Sequence, residues 1–334
     1  MHTITPSNGS REEIELMDKM DALRTLEPEV EEMMQIHLQK RRLWFSSDFL
    51  PADEKAVDPE NETFYNRLRE RARSLGDAAR VSLIVNLLTE EGLPHFHRII
   101  STYLGDQSVW GRWNNMWTAE EDRHGAILRD YMRDSRIVNW SVVEHMQYAY
   151  QEAGFNPSWD KDPYRVFVYT SLQERATQYA HRNTAKYVGD DEPVFQNIAK
   201  NIAADEAKHF QFYRNVFSRI LAMDPNRALQ SALTIMPSID MPGYRMPNFK
   251  EMADVIRRVG IYTPWDYKEI VEEAIAFWRI EHLTGLSEAG RVAQEKILAI
   301  PKRLQQIAEY IERRTVSKTF SFDFIYGRLM AFSG

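Results

Sequence analysis

The strongest constraint on the fold is a repeated spacing of glutamates and histidines. Two motifs place a glutamate three residues before a histidine, Glu121-Asp-Arg-His124 and Glu206-Ala-Lys-His209. A further glutamate precedes each motif, Glu90 by 31 residues and Glu174 by 32, so the two halves repeat with an offset of 84 to 85 residues. Positions i and i+3 of a helix share one face, so each motif can direct two side chains at one ion. One Glu-x-x-His is weak evidence, and the doubled spacing carries the argument.

Amphipathic helices are predicted for most of the chain. Glycine and proline, 14 of each, collect at a few breaks, and between the breaks apolar residues recur at i, i+3, i+4 and i+7. The pattern predicts helices at roughly 11–44, 60–74, 78–103, 109–134, 140–153, 164–188, 192–222, 226–236, 248–259, 263–279 and 286–312. Loops are predicted from Asp53 to Pro59, Asn156 to Asp162 and Pro237 to Pro247, and a short strand or hairpin from Thr319 to Ile325. No break is long enough to separate domains, so a single domain is predicted over residues 1–334.

Predicted turns bring the repeated residues to one height. The midpoint between each lone glutamate and its motif falls in a turn, at Gly105-Asp106 in the first half and at Asp190 in the second. In an antiparallel helical hairpin, residues equidistant from the turn lie side by side. Two such hairpins predict an all-α, ferritin-like four-helix bundle with additional flanking helices. Its core helices are 78–103, 109–134, 164–188 and 192–222.

The residue types point to a pair of metal ions. Four carboxylates and two imidazoles are the ligand set of di-iron and di-manganese bundles. The chain has no cysteine, which excludes zinc–thiolate sites and iron–sulfur clusters and requires electrons to come from another protein or a small reductant. Buried glutamates cost several kcal/mol each unless a cation compensates them, whereas the alternative places all six residues on the surface. The predicted ligands are Glu90, Glu121, His124, Glu174, Glu206 and His209.

Neighbouring polar residues have further expected roles. Glu120 and Asp205 each precede a motif glutamate and are expected to accept the free N–H of the histidine on the opposite hairpin. The alternative is that both are ordinary polar residues at the rim of the bundle. His95 and His97 follow Glu90 closely, but we expect them to be packing or rim residues.

Charge and hydropathy exclude other classes of function. The net charge of −7 does not favour nonspecific nucleic-acid binding. No apolar run approaches the ~20 residues of a membrane span, and the segment from Met1 to Arg11 lacks the core of a signal peptide. We therefore expect a cytoplasmic protein without a transmembrane segment.

The motifs resemble those of the soluble acyl-carrier-protein desaturases, the plant stearoyl type and its bacterial relatives. The similarity covers about residues 25 to 330, with Asp122 standing where that family usually has asparagine and a shorter connection between Glu90 and Glu121. The matching segments are Thr-Glu90-Glu-Gly-Leu-Pro, Trp-Thr-Ala-Glu-Glu121-Asp-Arg-His124-Gly, Gln-Glu174-Arg-Ala-Thr177, Ala-Asp-Glu206-x-x-His209, Trp44-x-x-x-Asp-Phe-Leu-Pro51, Met241-Pro, Gly-Ile-Tyr-Thr near 260, Leu283-Thr-Gly-Leu-Ser and Phe320-Ser-Phe.

This resemblance implies a homodimer with two iron ions per chain (Fe2+/Fe3+) that activate O2 once reduced. The enzyme would introduce a cis double bond into a saturated acyl chain on acyl carrier protein, with electrons from an external donor of the ferredoxin type. By the same match, Thr177 would lie on the oxygen-binding side and help proton delivery. Trp44, Asp205 and His124 would form the electron relay, although Trp44 is equally well explained as a packed aromatic.

The position of the partner and of the acyl tail is less constrained by the sequence. For the acidic carrier protein we expect a basic patch at Lys40-Arg41-Arg42, or else at the arginines 67, 69, 71 and 73. The acyl tail is expected to run along the helix of Glu90 to a floor at residues 100–103, which are Ile100, Ser101, Thr102 and Tyr103. Tyr103 would then favour chains shorter than stearoyl, unless it merely points outward at a helix end.

Three other functions remain open at this point. A hydroxylase or N-oxygenase on the same scaffold differs only in how the substrate is posed. A ferritin-like protein for iron oxidation or storage would not need the helices beyond residue 225. A ribonucleotide reductase small subunit usually has an aspartate among its ligands, whereas all four carboxylate ligands here read as glutamate.

Overall fold

The protein is described from a computed structural model that covers residues 11–51, 59–105, 107–157, 162–239 and 241–334. The loops predicted from Asp53 to Pro59 and from Asn156 to Asp162 therefore lie largely outside the described residues. Helices dominate the described chain, with one short pair of strands at its end. The helices are α1 (Arg11–Thr25), α2 (Glu27–Lys40), α3 (Pro59–Ser74), α4 (Asp77–Glu91), α5 (Leu93–Leu104), α6 (Val109–Ser135), α7 (Trp140–Ala153), α8 (Pro163–Val188), α9 (Pro193–Met223), α10 (Pro225–Ile235), α11 (Phe249–Arg258), α12 (Pro264–Phe277), α13 (Glu288–Leu298) and α14 (Ile300–Arg313).

Prolines interrupt three helices that the sequence pattern predicts to be continuous. The predicted helices 11–44, 78–103 and 286–312 are each two helices in the structure. Pro28, Pro94 and Pro301 stand in the first turn of α2, α5 and α14, where a missing N–H is tolerated. Further inside a helix, each proline ring would clash with the carbonyl four residues before it. The prediction of three continuous helices is therefore wrong, and a break follows directly after the end of α4.

Four helices form the central bundle. Helix α4 packs against α6 and α8, and α9 packs against the same two helices, which closes a four-helix core. Helix α2 lies over α6 and α9, whereas α11 and α12 lie over α4 and α8 on the opposite side. The predicted all-α bundle with flanking helices is confirmed.

The connection between α8 and α9 shows how the sequence closes a hairpin. Helix α8 ends at Gly189, whose φ of 64° lies in the left-handed region that glycine adopts readily. A 3-10 turn over Gly189–Asp191 follows, and the buried Glu192 caps α9 by accepting hydrogen bonds from the N–H groups of Val194 and Phe195. The turn predicted at Asp190 is therefore present. In the other hairpin Gly105 ends α5 with φ 65°, and Asp106 lies outside the described residues.

The chain ends in a small hairpin. Strand β1 (Lys318–Ser321) pairs antiparallel with β2 (Leu329–Phe332), with Phe320 opposite Met330. Phe320, Phe322 and Phe324 are all buried, as their alternation with polar residues predicts. Among the described helices, none is long and apolar enough to cross a membrane.

Candidate metal centre

The structure brings the six predicted ligand residues together inside the bundle. Glu90 lies near the end of α4, and the lone Glu174 lies on α8. The two Glu-x-x-His motifs lie on α6 and α9. All six side chains are buried; Glu90 is the most exposed of them, at 7%. Each of the four core helices thus contributes to a single polar cluster.

These residues fall into two overlapping groups that share two glutamates. In each group the candidate ligand atoms lie within 4.8 Å of one another. Glu121 and Glu206 belong to both groups, while each group has its own histidine and its own lone glutamate. The groups are Glu90, Glu121, His124 and Glu206, and Glu121, Glu174, Glu206 and His209. The arrangement matches two adjacent ion positions that share two carboxylates.

Both histidines turn the same ring nitrogen inward. Nδ1 of His124 lies 3.3 Å from a carboxylate oxygen of Glu121 and 3.3 Å from one of Glu206. Nδ1 of His209 lies 2.7 Å from Glu121 Oε1 and 3.8 Å from Glu174 Oε2. The inward Nδ1 atoms are therefore the nitrogens available to an ion, and the outward Nε2 atoms are available for other contacts.

Burial and mutual repulsion set the protonation of this cluster. Burial, reinforced by the charges of Glu121 and Glu206, raises the pKa of Glu174 well above its ordinary value. Burial opposes the charged form of His124 and His209, but the neighbouring carboxylates, with Glu121 foremost, raise the pKa of both histidines. In the metal-free protein, protons thus compensate part of the buried negative charge. Bound cations would replace them.

The residues fit a pair of hard metal ions. Neither carboxylate oxygen of Glu174 accepts a hydrogen bond from any donor in the described part of the chain. A carboxylate that is 1% exposed and lacks donors requires another source of positive charge. Carboxylate oxygens with few nitrogens suit iron or manganese better than soft metals. The donor set therefore supports the predicted ligands on grounds independent of their spacing.

The outward nitrogens meet the two residues that precede the motif glutamates. Nε2 of His209 lies 2.9 Å from Glu120 Oε2, and Nε2 of His124 lies 3.6 Å from Asp205 Oδ2. Each contact crosses to the opposite hairpin. Glu120 lies within hydrogen-bond distance of His209, as the sequence analysis expects, whereas the distance from His124 to Asp205 is longer than a hydrogen bond, so the expectation for Asp205 stays a prediction. Contacts of this kind fix the orientation and tautomer of a metal-binding imidazole.

His37 on α2 is a buried neighbour that the sequence analysis did not identify. Its Nε2 lies 3.0 Å from Glu120 Oε2, and its ring stacks on that of His209 with 5.8 Å between centroids. Arg41 reaches the other oxygen of Glu120 at 3.1 Å. Burial opposes the charged form of Glu120, but its hydrogen bonds from His209 and His37 lower the pKa of this carboxyl far below its ordinary value. No motif spacing marks His37, so only the packing of α2 reveals it.

On the other hairpin the corresponding neighbour is Trp44. Its indole N–H donates to Asp205 Oδ2 at 2.8 Å, and its ring lies parallel to that of His124, with 5.8 Å between centroids. Arg123 lies over the indole at 4.9 Å, and Lys208 contacts Asp205 at 2.8 Å. Trp44 is 3% exposed and follows the end of α2, although the helix predicted over 11–44 includes it. A continuous chain of contacts therefore joins Trp44, Asp205 and the inward cluster.

Thr177 lies between the cluster and a cavity. Its hydroxyl has three acceptors within hydrogen-bond distance, Glu206 Oε2 at 3.1 Å and the carbonyls of Gln173 and Glu174 on its own helix at 3.2 and 3.0 Å. The cavity has a volume of about 460 Å³, and Glu90, Thr177 and His181 form part of its wall. The outer wall is mainly apolar and includes Ile239, Met241, Phe249, Ile256, Ile261 and Leu304. Ile307 on α14 also lines this cavity and is 40% exposed.

This cavity lies away from the expected pocket floor. It extends from Glu90 back along α4 past Asn86 and Ser82, whereas residues 100–103 lie beyond the break at Gly92 and do not line it. Tyr103 is partly buried against core residues instead. The prediction that Tyr103 limits chain length gains no support from the cavity and stays a prediction.

The expected docking patches also lie away from the cavity. Lys40, Arg41 and Arg42 belong to the end of α2, on the α6 and α9 side of the bundle. The cavity lies on the α4 and α8 side, beneath α11 and α12. The other candidate patch, on α3, has two of its arginines engaged, Arg69 with a backbone carbonyl and Arg71 with Glu192.

The remaining histidines that follow Glu90 stay outside the cluster. His95 packs edge-on against Tyr150 with 6.4 Å between ring centroids. His97 is 2.7 Å from the hydroxyl of Thr118 through its Nδ1. Neither belongs to the metal-binding groups found among the described residues. Their placement agrees with packing or rim roles.

Comparison with known proteins finds relatives that are acyl-[acyl-carrier-protein] desaturases. Stearoyl-[acyl-carrier-protein] 9-desaturase 6 of Arabidopsis thaliana is 36% identical over 81% of this chain and 73% of its own length. The acyl-[acyl-carrier-protein] desaturase of Cucumis sativus is 33% identical over 93% and 82%, and palmitoyl-[acyl-carrier-protein] 4-desaturase 3 of Ophrys sphegodes is 30% identical over the same shares. All three are chloroplastic proteins.

A solved structure shares the fold. DesA2 from Mycobacterium tuberculosis H37Rv superposes with a TM-score of 0.60 at 20% identity, over 82% of this chain and 99% of that one. The sequence profile of the fatty acid desaturase family matches residues 18–326, which is nearly the whole chain. This protein is therefore a member of the fatty acid desaturase family.

Proposed function

We propose that this protein is an O2-dependent desaturase that introduces a cis double bond into a saturated acyl chain carried on acyl carrier protein. One observation carries the proposal. Two ion positions that share carboxylates lie beside a mainly apolar cavity, and Glu90 belongs to both the ion positions and the cavity wall. The names of the relatives supply the substrate class. Two iron ions, held by the six predicted ligands, are the proposed cofactor.

The reaction balances with an external reductant. Two adjacent methylenes lose two hydrogen atoms, O2 is reduced to two waters, and two further electrons and two protons come from outside the substrate. Reduced iron supplies the activation of O2. The protein's own residues hold the chain, orient the ligands and deliver protons. Thr177 is placed for the last task, because its hydroxyl contacts Glu206 and borders the cavity.

The opposite face of the bundle suits the electron donor. Trp44 and Asp205 lie on the α6 and α9 side, away from the cavity. Leu43 and Phe45, which flank Trp44, are 52% and 55% exposed, and Lys40 and Arg42 stand exposed beside them. Such an apolar patch with a basic rim fits an acidic protein of the ferredoxin type. We therefore place the donor here and acyl carrier protein at the opposite face, where the exposed Ile307 lines the cavity.

A homodimer and a cytoplasmic location are expected from the sequence and stay predictions. A hydroxylase or N-oxygenase would use the same cluster and cavity, and no contact in the described chain favours either over a desaturase. Iron storage would have no use for an apolar cavity of this size beside the cluster.

A product assay separates these functions. Iron-loaded protein is reduced, given acyl carrier proteins bearing chains of several lengths, and exposed to O2 with a ferredoxin-type donor. We expect acyl products lacking two hydrogens, identified by mass spectrometry, with a cis double bond located by fragmentation. Products that gain one oxygen atom would show a hydroxylase. Ferric mineral formed without acyl product would show iron storage.

A further inference from the structure

We infer that His181 is a positioning residue that holds Glu90 by one carboxylate oxygen and thereby makes the two ion positions unequal. This inference rests on the proposed metal centre and names a residue outside the predicted ligand set. His181 was not identified from the sequence, because no glutamate stands at a matching spacing from it.

The contact is short and buried. His181 Nε2 lies 2.8 Å from Glu90 Oε1, and the histidine is 1% exposed. The other oxygen of Glu90, Oε2, lies 3.8 Å from Nδ1 of His124 and faces the cluster. Glu90 therefore has one oxygen engaged by His181 and one directed at the ion position.

The helix places His181 beside the cluster. It follows Glu174 by seven residues and Thr177 by four, so all three lie on the same face of α8. Its ring also forms part of the cavity wall, and its Nδ1 has no hydrogen-bond partner among the described residues. His181 is thus the side chain that contacts both Glu90 and the cavity.

The other half of the centre has no equivalent. Glu174, which corresponds to Glu90 in the repeat, accepts no hydrogen bond from a described donor at either oxygen. Both of its oxygens are free to bind an ion, whereas Glu90 has one oxygen held in place. The two ion positions have the same types of ligand, but Glu90 is held by a hydrogen bond at one oxygen whereas Glu174 is not.

Two other roles for His181 make different predictions. If His181 were a third histidine ligand, it should belong to one of the candidate metal-binding groups, but the groups found in the described chain omit it. Its 2.8 Å contact with Glu90 is instead a normal hydrogen bond. As a packing residue its loss would weaken the fold and both ion positions together. A positioning role predicts that iron affinity falls only at the position formed by Glu90 and His124.

The test is an anaerobic titration of metal-free protein with Fe2+ in which a calorimeter measures the heat of binding. Wild type, His181→Gln, His181→Leu and a control, His97→Gln, are compared. We expect wild type and control to bind two ions, and His181→Leu to bind one of the two about 10–100-fold more weakly. His181→Gln keeps an N–H donor and should retain most of the wild-type affinity that His181→Leu loses.

Three outcomes overturn parts of this account and can be told apart. Wild-type affinity at both positions in His181→Leu would remove His181 from the centre. Equal weakening at both positions, together with a lower melting temperature of the metal-free variant, would show a packing role. Failure of the wild type to bind two ions would instead refute the proposed metal centre itself.

Discussion

Replacing Glu174 with glutamine should stabilise the metal-free protein and remove the stabilisation that iron provides at one of the two ion positions. In the metal-free protein Glu174 is 1% exposed, accepts no hydrogen bond from a described donor and faces Glu121 and Glu206. Burial and these two charges raise its pKa, so keeping it ionised at neutral pH costs free energy. Glutamine has the same shape without the charge, and its amide N–H can donate to the neighbouring Glu206, so removing this repulsion is worth about 1–3 kcal/mol.

The substitution has two effects of opposite sign, a gain in the stability of the metal-free protein and a loss of stabilisation by iron. For a chain of 334 residues, 1 kcal/mol moves the melting temperature by roughly 1.5 °C, so metal-free Glu174→Gln should melt about 1–4 °C above wild type. Wild type gains about 2.7 kcal/mol at one position when free iron is 100-fold above the dissociation constant. The variant should lose this gain at the position that Glu174 serves.

Glu192→Gln is the matched control. Glu192 is also fully buried, but it accepts a hydrogen bond from Arg71 at 3.1 Å and caps the start of α9. Its glutamine variant should lose about 1–3 kcal/mol with or without iron. Differential scanning calorimetry of wild type and both variants, under chelator and under anaerobic Fe2+, measures these shifts. A metal-free Glu174→Gln protein that melts below wild type would refute the reasoning, because it would mean that Glu174 stabilises the fold without a metal.

Three further predictions concern the reaction. Thr177→Val should keep its iron but consume O2 with less product, since valine has a similar shape but lacks the hydroxyl that contacts Glu206; an unchanged ratio of product to O2 would remove Thr177 from the mechanism. Trp44→Phe should bind iron normally and accept electrons more slowly in stopped-flow reduction, and a wild-type rate would reduce Trp44 to a packed aromatic. Charge reversal at Lys40 and Arg42 should raise the Michaelis constant for the electron donor and leave that for acyl carrier protein unchanged. If only the carrier constant rises, the two docking faces have been assigned the wrong way round.

The sequence predicts the bundle well because spacing and turn position act together. The lone glutamates and the motifs are equidistant from predicted turns, so the pairing of the helices follows without knowledge of their packing. The same symmetry anticipates the crossed contact of Glu120 with His209. The sequence pattern does not predict the helix breaks at three prolines. Pro28, Pro94 and Pro301 lie inside apolar patterns that continue on both sides, and the periodicity hides the interruptions.

Residues that act through tertiary contacts cannot be read from spacing. His37 reaches Glu120 across 83 positions and His181 reaches Glu90 across 91, and neither belongs to a motif. The cavity is likewise a product of packing, since α11 and α12 enclose it from a distant part of the chain. The expected pocket floor and carrier-docking patch do not line this cavity, and both stay predictions.

The most direct test of the central claim is an anomalous-scattering map at the iron absorption edge from crystals of iron-loaded protein. The account predicts two adjacent peaks within the four-helix core, both in contact with Glu121 and Glu206. One peak should also be bound by Glu90 and His124, and the other by Glu174 and His209. A single peak, or peaks at His37 or on the protein surface with the core empty, would contradict it.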